Sequence, residues 1–116
     1  MTKQTLINYD AALTRLANDT SFYKVLLESW FEEPQFEKAT LEELMAKKDL
    51  VDCANYIHKM KGAASTLGAE ILQAEAQKLE DIFRQRVDGD IEKQIEIVNS
   101  IFIETNFQLK LYYNKI

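Results

Sequence analysis

Apolar positions recur along the chain at steps of three and four, the spacing that lines one face of an α-helix. Leu6, Tyr9, Leu13 and Leu16 make the first such stripe. Asn18-Asp19-Thr20 interrupts it with residue types that cap a following helix. Phe22, Leu26, Trp30 and Phe31 make a second stripe, which then meets Pro34. Proline removes an amide donor and clashes with the preceding turn, so a kink or a break is expected there. Ala39, Leu41, Leu44 and Met45 resume the pattern, making residues 20–46 a candidate single bent element. Lys47 and Lys48 suit a helix C-terminus, where the dipole is negative, and Asp49 reads as the next N-cap.

Leu50, Cys53, Ile57, Met60, Ala64 and Leu67 then step 3-4-3-4-3, a seam for packing against other helices. Gly68 follows it as a C-terminal cap. Leu72, Ala76, Leu79 and Phe83 stripe a further helix, which stops at Asp88-Gly89-Asp90. The last stripe runs through Ile91, Ile95, Val98, Phe102, Thr105, Leu109, Tyr112 and Ile116. Helices joined by turns this short run antiparallel. The pattern predicts an all-α fold: an antiparallel four-helix bundle with a short additional N-terminal helix, one domain over residues 1–116.

Composition narrows the chemistry. With three glycines and one proline in 116 residues, the turns a β-sandwich or barrel needs are missing. Apolar residues at 47% and charged residues at 28% do not describe a disordered tail. One cysteine leaves no disulfide framework or Cys-based zinc site, and one histidine leaves no His-rich metal cage. Cys53 lies on the seam and reads as a small buried hydrophobe. The residue three before His58 is Asn55, so the Glu-x-x-His pattern of di-metal bundles is absent. Net charge is −5 with no basic stripe, so no nucleic acid is expected as a partner. No apolar run reaches the roughly 18 residues of a membrane span. Met1-Thr2-Lys3-Gln4 leads into mixed polar residues without a hydrophobic signal core. A reduced, cytoplasmic protein with no membrane contact is the expectation.

His58 is the residue that raises a chemical question. At about 100° per residue it lies well over a quarter turn from the seam of Ile57 and Met60, so it is expected to face outward. Val51, Ala54, Lys61, Gly62 and Ser65 share its side of the helix, and most are small. Gly62 is costly inside a helix, about 1 kcal/mol relative to alanine, and close approach of something to the helix surface is one reason to keep it. Close packing between helices is another. An imidazole is nucleophilic and largely neutral near pH 7. With an ammonium at Lys61 and a missing side chain at Gly62, this face suits a phosphoryl group.

The run His58-Lys59-Met60-Lys61-Gly62-Ala63-Ala64, followed by Leu67-Gly68-Ala69 and then Leu79-Glu80, resembles the histidine-containing phosphotransfer (HPt) domains of phosphorelays. Their pattern is H-x-x-K-G, two small residues, a Leu-Gly pair and a later Leu-Glu. Met60 stands where Leu is usual and Ile57 where a smaller residue often precedes the histidine. Both replacements are apolar and affect packing more than chemistry. The resemblance implies a four-helix bundle with an exposed histidine on its second helix. It implies that His58 is phosphorylated at Nε2, that Lys61 stabilises the phosphoryl group and that Gly62 gives clearance. It also places Glu80 where a Gln or Glu hydrogen-bonds the other ring nitrogen.

The expected function is a phosphorelay intermediate, a phosphocarrier and not an enzyme. His58 would accept a phosphoryl group from a receiver-domain aspartate and pass it to another receiver. A hybrid or chemotaxis-type histidine kinase is the other expected partner. Val51, Ala54, Asn55, Lys59 and Ser65 are the expected docking contacts around His58. No cofactor is expected in the chain itself, since it has no glycine-rich phosphate loop and no G-x-x-x-x-G-K-[ST] run; a metal is expected only in the partner receiver. A monomer is the expected state, although the stripe reaching Ile116 also suits self-association. The competing reading is a non-phosphorylated helical interaction module, an adaptor using the same face.

Overall fold

Local capping explains where most of the helices begin. In the computed structural model, which describes residues 5–116, α1 spans Tyr9–Arg15, α2 Thr20–Glu32, α3 Lys38–Ala46, α4 Leu50–Thr66, α5 Glu70–Phe83 and α6 Ile91–Lys115. Asp19, Asp49 and Asp90 each accept a hydrogen bond from the amide three residues on, opening α2, α4 and α6. Asn8 does the same for α1. The regular elements of the described residues are all helices, without strands.

Residues 20–46 are two helices rather than one bent element. α2 stops at Glu32, Pro34 lies in the extended connection, and α3 starts at Lys38. The reason is the one that made a break admissible. The residue before a proline is driven out of the helical region, and Glu33 accordingly adopts φ −131°, ψ 146°.

α2, α4, α5 and α6 form the antiparallel bundle, with α1 at one end and α3 on its flank. Along α4, Asn55, His58 and Lys61 meet Arg84, Glu80 and Gln77 of α5 in that order. The partner numbers fall as the α4 numbers rise, so the two helices run in opposite directions. α2 and α6 are related in the same way. Lys24 donates to the Ile116 carbonyl at 2.8 Å, while the Trp30 indole donates to Asn106 Oδ1 at 2.9 Å. Tyr9 of α1 stacks on Tyr112 of α6, ring centres 4.0 Å apart.

The seam residues Cys53, Ile57, Met60, Ala64 and Leu67 are all buried. Leu50, the first of that stripe, is partly exposed because it opens α4 at the end of the bundle. Trp30 and Phe36 are buried beside Phe102, which assigns them to packing. Burial raises the pKa of the Cys53 thiol, with Asp49 and Asp52 adding to the effect, as suits an inert core cysteine.

Gly68 terminates α4 with φ +81°. Its amide donates to Ser65 and that of Ala69 to Ala64, satisfying carbonyls of the last turn. Asn8 N–H then donates to the Gly68 carbonyl at 2.8 Å, and a Cβ at Gly68 would stand 2.6 Å from the Asn8 oxygen. No other residue type fits there without moving the N-terminal segment. Among the described residues, no helix is long and apolar enough to cross a membrane.

Candidate functional site

His58 sits mid-way along α4 with its side chain 61% exposed. Only one flank of the ring is held. Nδ1 lies 3.2 Å from both carboxylate oxygens of Glu80 on α5. Glu80 itself is buried, at 3% exposure, and is also gripped from either side. Lys61 Nζ is 2.8 Å from Oε1, and Arg84 Nε donates to Oε2 at 2.7 Å.

The electrostatics of this cluster follow from its donors. Burial alone raises a carboxyl pKa, but hydrogen bonds from Lys61, Arg84 and His58 outweigh it and bring Glu80 down to about 2. Glu80 is therefore ionised throughout the physiological range and can only accept hydrogen bonds. The proton between Glu80 and His58 then resides on Nδ1. In the neutral ring, Nε2 is left with a free lone pair.

Gly62, one turn on from His58, is exposed, and a Cβ built there would meet nothing within 4 Å. Close packing between helices is thereby removed as the reason for this glycine. The surface beside His58 is open at that point.

The expected docking contacts divide by the side of α4 they occupy. Val51 is 65% exposed, and Asn55 and Lys59 are exposed as well. Ser65 is half-buried, its carbonyl taking a 2.9 Å hydrogen bond from Arg15. Ala54 is fully buried and cannot be a docking contact. By helix geometry it lies about 40° from His58 on the side of Lys61, and that side is covered by α5. Val51 lies on the opposite side of His58 and keeps most of its surface exposed.

Lys61 is not a free ammonium beside the ring. It is 16% exposed and bonded across to α5, at Glu80 and at Gln77 Oε1, 2.7 Å away. Arg84 spans from Glu80 to Asn55 Oδ1 at 3.2 Å. Gln77 and Arg84 escaped the sequence reading. They stand three before and four after Glu80, hence on its face of α5, and that spacing is the signal that could have found them.

A groove of about 490 Å³ runs along the other flank of α4, between it and the C-terminal end of α2, lined among others by Leu26, Trp30, Pro34, Lys59 and Ala63. It does not reach the His58–Glu80 pair.

Comparison with known families gives one match. The Hpt domain model covers residues 25–114, from the second turn of α2 to the end of α6. Neither the curated proteins nor the solved structures returned a match.

Proposed function

The chain belongs to the Hpt domain family, whose members are phosphocarriers in two-component signalling, and from that premise we propose that His58 is its phosphoacceptor. In this reading Nε2 attacks the phosphorus of a receiver's aspartyl phosphate. The P–N bond forms as the P–O bond to the aspartate breaks, and the aspartate leaves as a carboxylate. The ring keeps its Nδ1 proton and becomes cationic, and Glu80 balances that charge. Onward transfer reverses these steps with another receiver, or a hybrid or chemotaxis-type kinase supplies the group first. Phosphoryl transfer is largely positioning and charge neutralisation, which suits a domain that offers a nucleophile and cations. The divalent metal belongs to the receiver.

One observation carries the reading: an imidazole open to solvent at Nε2 whose Nδ1 is held by a buried, ionised carboxylate. Gly62 and Val51 form open surface next to it, which suits the approach of a receiver.

Incubation with a panel of phosphorylated receiver domains tests it. The wild-type chain should take up an acid-labile phosphoryl group. His58→Gln should take up none while its circular dichroism stays helical, since the ring is mostly exposed and its hydrogen bond goes to Glu80. Undiminished labelling of His58→Gln would overturn the assignment.

A further inference from the structure

The ammonium one turn on from His58 is engaged on the facing helix. Lys61 Nζ is bonded to Glu80 Oε1 at 2.8 Å and to Gln77 Oε1 at 2.7 Å, both on α5. The Gln77 amide is in turn oriented from its far end, where Nε2 donates to Asp81 Oδ1 at 2.9 Å. A carboxylate only accepts, so the amide nitrogen must face Asp81 and the carbonyl oxygen must face Lys61. Asp81 is itself anchored, its Oδ1 3.0 Å from Arg86 Nη1. The result is a polar chain along α5, from Arg86 through Asp81 and Gln77 to Lys61.

This chain is not part of the core. The buried stripe of α5 is Leu72, Ala76, Leu79 and Phe83, while Gln77 and Asp81 are half-buried beside it. Nor does Glu80 need it for neutralisation, since Arg84 already holds its second oxygen. What Gln77 adds is a second acceptor for Lys61.

We propose that Gln77, oriented by Asp81, is a positioning residue that holds Lys61 on α5 while His58 is unmodified and yields it to the phosphoryl group once His58 is charged. The inference rests on the reading that His58 is the phosphoacceptor. Its physics is a competition for one ammonium. A phosphoryl group on Nε2 brings strongly accepting oxygens and more negative charge than the Gln77 carbonyl dipole can match. Lys61 can then exchange its neutral acceptor for a charged one while Glu80 stays ionised beside it. Gln77 sets how readily that exchange occurs.

The test is a double-mutant cycle read on the half-life of the phosphorylated histidine. Gln77→Met keeps the length of the side chain and its helix propensity and removes both hydrogen bonds. It should lengthen the half-life about three- to tenfold, the range set by the net loss of one ordinary intramolecular hydrogen bond. In a Lys61→Ala background the same substitution should change nothing. Asp81→Ala, which touches neither Lys61 nor His58, should act in the same direction by a smaller factor and add nothing to Gln77→Met. An unchanged half-life in Gln77→Met, or an equal change with and without Lys61, overturns the inference alone, because the wild-type chain is labelled in both cases. A wild-type chain that takes no label overturns the phosphoacceptor reading and this one with it.

Discussion

Glu80 presents both of its carboxylate oxygens to Nδ1 of His58 at the same distance, 3.2 Å. The symmetry comes from its other partners. Lys61 pulls on one oxygen and Arg84 on the other, so the carboxylate faces the ring squarely. One buried anion thereby sets both the orientation of the imidazole and the nitrogen that carries its proton.

Acid stability should report that anion. The Glu80 pKa lies at about 2 in the folded protein against an ordinary 4.5. Between those values the unfolded chain binds more protons than the folded one, so stability rises with pH across that window. The contribution is complete above about pH 4.5 and is lost as pH falls toward about 2. Its full conversion is about 3 kcal/mol, and screening at the partly exposed Lys61 and Arg84 ends reduces it to on the order of 1–2 kcal/mol. Urea titrations from pH 6 to pH 2.5 should show Glu80→Gln with a flatter pH dependence than wild type. A parallel pair of curves would contradict the lowered pKa.

Gly62 should be a residue at which stability and activity oppose each other. Its helix position costs about 1 kcal/mol relative to alanine, and nothing lies within 4 Å of where a methyl would go. Gly62→Ala should therefore raise stability by about 0.5–1 kcal/mol in chemical denaturation. Gly62→Arg should leave the helical fold intact and lower receiver binding about tenfold or more, measured by calorimetry. Unchanged affinity in Gly62→Arg would remove clearance as the reason for the glycine.

Val51 and Ala54 should separate docking from packing. Val51→Asp changes an exposed side chain, so stability should move by less than about 0.5 kcal/mol. Binding of a cognate receiver should weaken by about 1–2 kcal/mol, the cost of spoiling an apolar contact at an interface. Ala54→Leu must fit into filled space against α5 and should lose about 1–3 kcal/mol of stability. Equal effects of the two substitutions on denaturation midpoints would contradict the assignment of Val51 to open surface and Ala54 to packing.

These residues also mark how far the chain could be read without coordinates. Caps such as Asp19, Asp49 and Asp90 act on their own helix, so a local pattern suffices to find them. The outward face of His58 follows from rotation about one axis. Rotation gives direction relative to the residue's own helix, however, and says nothing of the neighbour on each side. Ala54 and Val51 both lie near His58 in azimuth, yet α5 covers only one of them. Lys61 was legible as a nearby cation, but its engagement with Gln77 depends on the register between two helices. Pro34 signalled a discontinuity, and the extended backbone at Glu33 decided that it is a break.

The paired order of Asn55, His58 and Lys61 with Arg84, Glu80 and Gln77 also acts as a lock on sliding. Moving α5 along α4 by a single turn, about 5.4 Å, would unfasten all three rungs together and strip the buried Glu80 of Lys61 and His58, leaving it Arg84 of its own helix. An apolar seam alone tolerates such slips far better, because one leucine-sized knob resembles the next. The residues that prepare the imidazole therefore also fix the alignment of the two helices, and a misaligned bundle would announce itself by losing phosphoryl acceptance before it lost helix content.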